Sequence, residues 1–440
     1  MPNTEALTQK PDRATPARML TMALKSDFVS KVTQVYAAQI LRAGLGLATS
    51  IAVARLLGPS GRGEFAIAAA VGTMGVQFAN LGLHTANTYF VARDRTSLPF
   101  LTGNTLFVSF GLGCLSAVVL GCVVWLKPGL LSLDSTLLGL ALAWIPFGLA
   151  YLLMQNLLLG LQEIRNYNVI ELANKFLPLL LVAFFWVVGC ANVTNVFAAG
   201  LVALVICCTW EYAALTKHMD RGPSVSYTFF RSNVIYAIKA YSAALFCFLV
   251  LRSDLFLVKY FLGMEQAGYY SIAATMADFS SMIAVVIGTI LMPRLSAMSD
   301  WDLKLKLTRK VVLGTAIATA PLMFSASILA FPLVRLMFGT AFAPSSTAFV
   351  LLAPGIFFLG LHSVSVQLLN SIGYPKSVVG IWGICALLNI GANFWAIPRF
   401  GIAGASAVSS ACYFLAFLFV LIVIATTARR MQHNGKSATL

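Results

Sequence analysis

Apolar residues in this chain form runs of about twenty or more, apolar on every side, where a soluble helix would carry a single apolar stripe. The runs fall near 33–57, 65–92, 100–126, 136–160, 167–189 and 194–216, then near 232–261, 267–293, 310–336, 345–372, 377–398 and 402–427. At a rise of about 1.5 Å per residue, each run is long enough to cross the roughly 30 Å hydrocarbon layer of a bilayer. The pattern predicts an all-α integral membrane protein of about twelve helices, six per half.

The polar breaks between runs repeat as well. The first is Leu57-Gly58-Pro59-Ser60-Gly61-Arg62-Gly63-Glu64-Phe65; near mid-chain comes Leu262-Gly263-Met264-Glu265-Gln266-Ala267-Gly268-Tyr269-Tyr270. Laid over each other without a gap, they superpose Gly58 on Gly263, Gly63 on Gly268 and Phe65 on Tyr270. A helix that leaves a bilayer and re-enters at once must satisfy its terminal backbone groups within a few residues, and glycine takes the positive φ such a reversal needs. Each copy follows the first long run of its half, so the chain reads as two halves of one plan.

Composition narrows the class. With 59% hydrophobic and 10% charged residues the chain cannot cover a soluble surface. The eight cysteines all lie inside apolar runs without C-x-x-C spacing, and only four histidines accompany them, which argues against disulfides, zinc or any other metal site. The net charge of +15 invites a nucleic-acid reading, but the basic residues are spread over short loops and build no single face. Their distribution is topological. One set of loops holds Arg93, Arg95, Arg165, Lys217, Arg221, Arg231, Arg294, Lys304, Lys306, Arg309, Lys310, Lys376 and both tails, whereas the other holds Arg55, Arg62, Lys127, Lys259, Arg335 and Arg399. By the positive-inside rule both termini are expected in the cytoplasm.

The expected organisation is a disordered cytoplasmic tail over 1–31, an N-lobe over 32–218, a cytoplasmic linker over 219–231, a C-lobe over 232–428 and a second tail over 429–440. No signal-peptide core precedes the first run. The longest polar stretches, 217–232 and 294–310, leave no room for an extramembrane catalytic domain, and no G-x4-G-K-[ST] phosphate loop is present. A membrane glycosyltransferase or polymerase would need a large loop or an acidic metal motif, and neither is visible. The chain reads as a non-enzyme without cofactors that works inside the membrane.

Four basic residues remain unassigned to either set of loops: Arg42, Lys175, Lys239 and Arg252. A cation at the bilayer centre costs at least about 2.5 kcal/mol, so each must face the bundle interior or water. Arg42 shares a polar stripe with Gln39, Gly46 and Thr49 and has no acid on its own helix; a lumen-facing cation and a buried ion pair both remain open for it. Lys175 stands one turn after Glu171 and can pair with it. Lys239 shares a face with Ser242 and lies too far along its helix from Asp254 to reach it. Arg252 can meet Asp278 on the next helix, while Asp254 faces elsewhere. The candidate cavity residues are therefore Arg42, Lys239, Gln39, Lys175 and Arg252, with Asp254 and Asp278 as weaker ion-coupling candidates. His84 and His362 read as core or cavity-lining imidazoles. Pro146, Pro178, Pro321 and Pro354 fall inside helices, where a missing donor kinks the rod.

The repeated L-G-x4-G-x-[FY] hinge, the run Ile397-Pro398-Arg399-Phe400-Gly401-Ile402-Ala403-Gly404-Ala405 and Arg252-Ser253-Asp254 before the second hinge together resemble the bacterial polysaccharide (oligosaccharide) flippases, the Wzx-like branch of the superfamily that also holds the MATE exporters. The resemblance spans roughly 30–428. It implies two six-helix lobes in a MATE-like inverted V and a substrate of undecaprenyl-diphosphate-linked oligosaccharide, moved across the bacterial inner membrane by alternating access. It also implies contact with membrane lipids and with polysaccharide polymerase machinery. The alternative is an ion-coupled MATE-type multidrug antiporter, for which lone acids are expected in the cavity; here the buried bases equal or outnumber Glu171, Asp254 and Asp278.

Overall fold

The computed structural model describes residues 27–127, 129–373 and 376–437, and among these every regular element is helical. In chain order they are α1 (Asp27–Ala79), α2 (Leu83–Arg93), α3 (Leu98–Leu126), α4 (Ser135–Gly160), α5 (Ile164–Val187), α6 (Val193–Thr216), α7 (Tyr227–Leu262), α8 (Met264–Ala297), α9 (Trp301–Ile328), the short α10 (Ala330–Met337), α11 (Pro344–Asn370) and α12 (Lys376–Ser437). Among the described residues ten helical segments are apolar and long enough to span a membrane. Two of them, Gln39–Ala79 and Lys376–Arg429, are long enough for two spans each and are broken at a glycine, so that counted as pairs they bring the total among the described residues to twelve.

Three hinges share one backbone device. Gly58 (φ 67°, ψ −176°) breaks α1, Gly263 (φ 90°, ψ −179°) separates α7 from α8, and Gly401 (φ 62°, ψ −147°) breaks α12. This corner of φ/ψ space is open essentially to glycine alone, because a Cβ would clash with the backbone. It turns the chain between two membrane crossings with no loop at all, so hydrogen-bonded helix resumes at the next residue.

Gly63 and Gly268 do something different. A Cβ on Gly63 would lie 1.9 Å from the Met264 carbonyl oxygen, and one on Gly268 would lie 2.0 Å from that of Pro59. The two hinges therefore pack backbone against backbone, and the glycines aligned in the sequence repeat meet in space. This contact joins the two halves at one end of the bundle, the hinge face. At the opposite end the first half of α7 leans onto α1, α2 and α3: Tyr236 stacks on Tyr89 at 4.5 Å between ring centroids, and the Tyr241 hydroxyl donates to the carbonyls of Gln77 and Phe78 at the end of α1.

Within the first half α4 packs against α1, α3 and α6; within the second, α11 and α12 pack against each other and against α8 and α7. Pro146, Pro178, Pro321 and Pro354 all lie inside helices, as expected. Two boundaries shift. α1 already includes Asp27–Lys31, assigned above to the tail, and α12 continues to Ser437, past the expected end of the C-lobe at 428. Residues 1–26 and 438–440, the remainder of the expected tails, lie outside the described residues.

Candidate functional site

Charged side chains inside the membrane-spanning segments gather at three places. The first lies in the N-terminal half. Arg42, on the first arm of α1, reaches α5, where its Nη1 lies 2.8 Å from Glu171 Oε2 and 3.5 Å from Asn168 Oδ1; its guanidinium also stands 5.9 Å from the Tyr167 ring centroid. The acid missing from its own helix is supplied by α5, distant in sequence. Glu171 is therefore taken by Arg42, and the expected pairing of Glu171 with Lys175 does not occur. Lys175 is exposed on α5. Gln39 is half-buried one turn before Arg42.

Behind this pair stands Glu211 on α6, fully buried, with neither carboxylate oxygen hydrogen-bonded. On α4 the buried Tyr151 hydroxyl accepts from Gln155 Nε2 at 3.1 Å. Glu211 was not among the acids singled out from the sequence, although it interrupts the apolar run 194–216 and a scan for lone acids would have found it.

The second place is in the C-terminal half. Arg252 Nη2 lies 2.8 Å from Asp278 Oδ2, across the α7–α8 interface, and the pair lines a cavity of about 370 Å³ together with Gln367, His362, Asn370 and Tyr413. Asp254, two residues on, is buried and lines the same cavity. It accepts from the Tyr270 hydroxyl and, at 2.8 Å, from Ser409 Oγ; Asn389 Nδ2 in turn donates to Ser409 Oγ at 3.3 Å. Asp278 thus pairs with a cation, whereas Asp254 accepts hydrogen bonds that link α7, α8 and α12. His362 is buried, its Nδ1 3.1 Å from the Ala416 carbonyl and its ring edge-on to Trp382, a core position lining the same cavity. The side chain of Lys239 lies outside the described residues.

The third place is the hinge face. Arg62 donates to Ser271 Oγ at 3.2 Å and Thr275 Oγ1 at 3.3 Å, Lys259 donates to main-chain oxygens of Gly129 and Leu130, and Arg55 donates to those of Leu336 and Met337. The sequence placed these three in loops. Between the hinge face and the middle of the bundle lies an apolar pocket of about 350 Å³, lined from the N-terminal half by Val71, Met74 and Leu120 and from the C-terminal half by Leu249, Phe256 and Ile390.

Among the described residues no group of three or more His, Cys, Asp or Glu side chains is arranged to hold a metal ion. The arrangement offers instead two carboxylate-masked guanidinium groups, one per half. An anion can recruit such a cation by displacing its carboxylate, and the cation need never stand bare in the membrane.

Comparison with known proteins agrees with this architecture. Residues 52–347 match the family model described as polysaccharide biosynthesis protein. A membrane protein of Methanocaldococcus jannaschii, itself uncharacterised, is 25% identical over 279 residues, 60% of this chain and 54% of that relative, so the match spans about half of that relative's length. Among solved structures, an inward-facing multidrug resistance MATE family transporter of the MOP superfamily superposes with a TM-score of 0.70 at 13% identity, covering 88% of this chain and 96% of that one. The lipid II flippase MurJ, in an inward closed conformation, gives the same TM-score and identity over 89% and 87%. A Vibrio cholerae MATE transporter follows with a TM-score of 0.60 at 14% identity, covering 91% and 98%. At these identities the likeness establishes the fold, that of the MATE and MurJ transporters.

Proposed function

We propose that this chain, which belongs to the family of polysaccharide biosynthesis proteins, is a flippase that carries an undecaprenyl-diphosphate-linked oligosaccharide across a bacterial inner membrane by alternating access. The observation that carries the reading is the pairing of Arg42 with Glu171 and of Arg252 with Asp278. Each pair sits at the junction of two membrane helices and holds one cation at low cost until a stronger anion arrives. A diphosphate offers several oxygens to a guanidinium in bidentate geometry, against one carboxylate in the resting pair. In this reading Arg42 and Arg252 receive the headgroup, Gln39 adds a neutral hydrogen bond, and Lys175 and Lys239 guide the anion from the termini face.

The lysine- and arginine-rich termini face is taken as cytoplasmic, both ends of the chain included, and the hinge face as periplasmic. Polysaccharide polymerase machinery would receive the flipped unit there. Energy comes from an ion gradient, the membrane potential or substrate turnover.

A second reading has one specific observation in its favour. Glu211 is a buried carboxyl without a basic partner among the described residues, the feature expected of an exporter of cationic drugs. One experiment separates the two. Cells lacking the protein should accumulate lipid-linked oligosaccharide in the cytoplasmic leaflet with unchanged drug susceptibility; heightened drug susceptibility without that accumulation would favour the antiporter.

A further inference from the structure

The hinge face is closed by an arrangement that repeats the two-fold plan of the chain. Arg55 lies one helical turn before the hinge glycine Gly58, and Lys259 lies one turn before Gly263. Arg55, from the N-terminal half, donates through Nε to the Met337 carbonyl at 2.8 Å and through Nη2 to that of Leu336. Those are orphan carbonyls at the C-terminal end of α10 in the other half, where a helix dipole favours a cation. Lys259, from the C-terminal half, donates through Nζ to the carbonyls of Gly129 and Leu130 at 3.1 and 2.7 Å and to Ser132 Oγ at 3.1 Å, all in the α3–α4 connection of the first half. The α3–α4 connection and α10 hold equivalent places in the two halves. Arg62 completes the set by crossing to Ser271 and Thr275 on α8.

Every acceptor in this set is a neutral oxygen. None of the three cations has a carboxylate within ion-pair distance among the described residues; Glu265, on the same face, is engaged by the Tyr269 hydroxyl at 2.5 Å. Arg62 and Lys259 are nevertheless buried, at 7% and 5% exposure. Two buried cations compensated by neutral oxygens and, for Arg62, by the Phe65 ring 5.6 Å from its guanidinium differ in kind from Arg42 and Arg252, each of which has its own carboxylate. Hydrogen bonds from a cation to an anion are roughly twice as strong as those to neutral partners. An arriving anion therefore takes these donors from the opposite half, and releasing them removes the cross-links that hold the hinge face shut.

We propose that Arg55, Arg62 and Lys259 form an anion site for the diphosphate headgroup of a membrane lipid at the hinge end of the transport path, and that occupancy of this site opens the hinge face by displacing the neutral oxygens of the opposite half. The inference rests on the flipping reading above and adds to it a second, exit-side site. Its ligand differentiates closed from open because the three donors can satisfy the anion only when they leave the other half.

The test uses the full-length protein in lipid nanodiscs, its eight cysteines replaced. Spin labels go at Ser135 and Thr340, exposed positions on the hinge face of the two halves. Label-to-label distances are measured without anion, with inorganic pyrophosphate, and with a polyprenyl diphosphate in the bilayer, at matched ionic strength. The site predicts that a diphosphate raises the odds of the long-distance population at least about tenfold, a shift that requires differential binding to the open state. A response to the lipid alone assigns the site to a headgroup arriving from the bilayer; a response to pyrophosphate as well adds access from water. Arg55→Gln/Arg62→Gln/Lys259→Gln abolishes both the response and the binding of radiolabelled pyrophosphate. Should that variant fold poorly, Arg55→Gln alone, at an exposed position, reduces the response several-fold. No widening by either diphosphate, or equal widening and binding in the triple variant, overturns the site. Flipping of lipid-linked oligosaccharide by a wild type that shows no widening removes this site and leaves the transport reading standing; widening without flipping does the reverse.

Discussion

Removing Glu171 and removing Arg42 break the same ion pair but should not have the same consequence. The two side chains are 12% and 22% exposed, so the pair is neither a surface bridge, worth at most about 1 kcal/mol, nor a sealed one, whose breakage costs about 3–5 kcal/mol. A charge-assisted bond with residual access to water falls between, near 2 kcal/mol. For a six-helix half of this size that corresponds to a fall of roughly 4–8 °C in the unfolding temperature. Arg42→Ala and Glu171→Gln should each lower it by about this amount, and Arg42→Met/Glu171→Met should recover most of the loss, since neither charge is then stranded. Transport discriminates between them. Arg42→Ala should abolish polysaccharide export at normal membrane abundance, whereas Glu171→Gln, which unmasks the guanidinium, should retain export and bind diphosphate more tightly. Thermal unfolding in detergent and export complementation in cells measure the two effects. Equal loss of export in both single variants, tracking the thermal loss and restored in the double variant, would make the pair purely structural and refute the role of Arg42 in recognition.

Other perturbations have equally definite outcomes. Gly63→Ala places a methyl 1.9 Å from the Met264 carbonyl oxygen and should open the hinge face, seen as faster cysteine labelling at Thr340, whereas unchanged labelling would mean the two backbones separate without consequence. Gly263→Ala meets open space yet demands a residue with a Cβ at φ 90°, so it should cost about 1–3 kcal/mol through backbone strain alone, read as a lower unfolding temperature. Asp134 caps α4 by accepting from the Thr136 backbone amide at 3.0 Å, and this bond holds its carboxyl below the ordinary carboxylate value. A depressed folded-state pKa stabilises above the unfolded pKa and loses its effect as pH falls through the folded one, so amide exchange at Thr136 in wild type and Asp134→Ala should differ at neutral pH and converge in acid. Arg252 and Asp278 are 37% and 54% exposed, so Asp278→Asn should leave stability within about 1 kcal/mol while altering export; a large thermal loss would contradict their cavity-facing role.

Much of this architecture is written locally, and that part was readable. Gly58, Gly263 and Gly401 each stand between two apolar runs, and a re-entry without a loop leaves glycine as the residue that fits; the fold follows from counting such breaks. The pairing of Arg252 with Asp278 was also accessible, because consecutive helices joined at a hinge must lie side by side. What the sequence could not show was contact between elements distant in order. Arg42 finds its acid on α5, more than a hundred residues away, so its helix looks as if it carried a bare cation. Arg55, Arg62 and Lys259 read as loop charges because their acceptors are main-chain and hydroxyl oxygens, which leave no pattern of complementary acids to search for. Glu211 is a different case: a single acid inside an apolar run is a local signal, and its significance lies in its being buried and unpartnered.

The central claim, that the protein moves a lipid-linked oligosaccharide between leaflets, is tested most directly by reconstitution. Purified protein is placed in liposomes carrying undecaprenyl-diphosphate-linked oligosaccharide in one leaflet, and the sugar reaching the other leaflet is scored with a membrane-impermeant lectin or glycosidase. Exposure of the sugar should depend on the protein and disappear with Arg42→Ala. Exposure no faster than in protein-free liposomes, under conditions where lipid-linked substrates from several polysaccharide pathways have been offered, would contradict it.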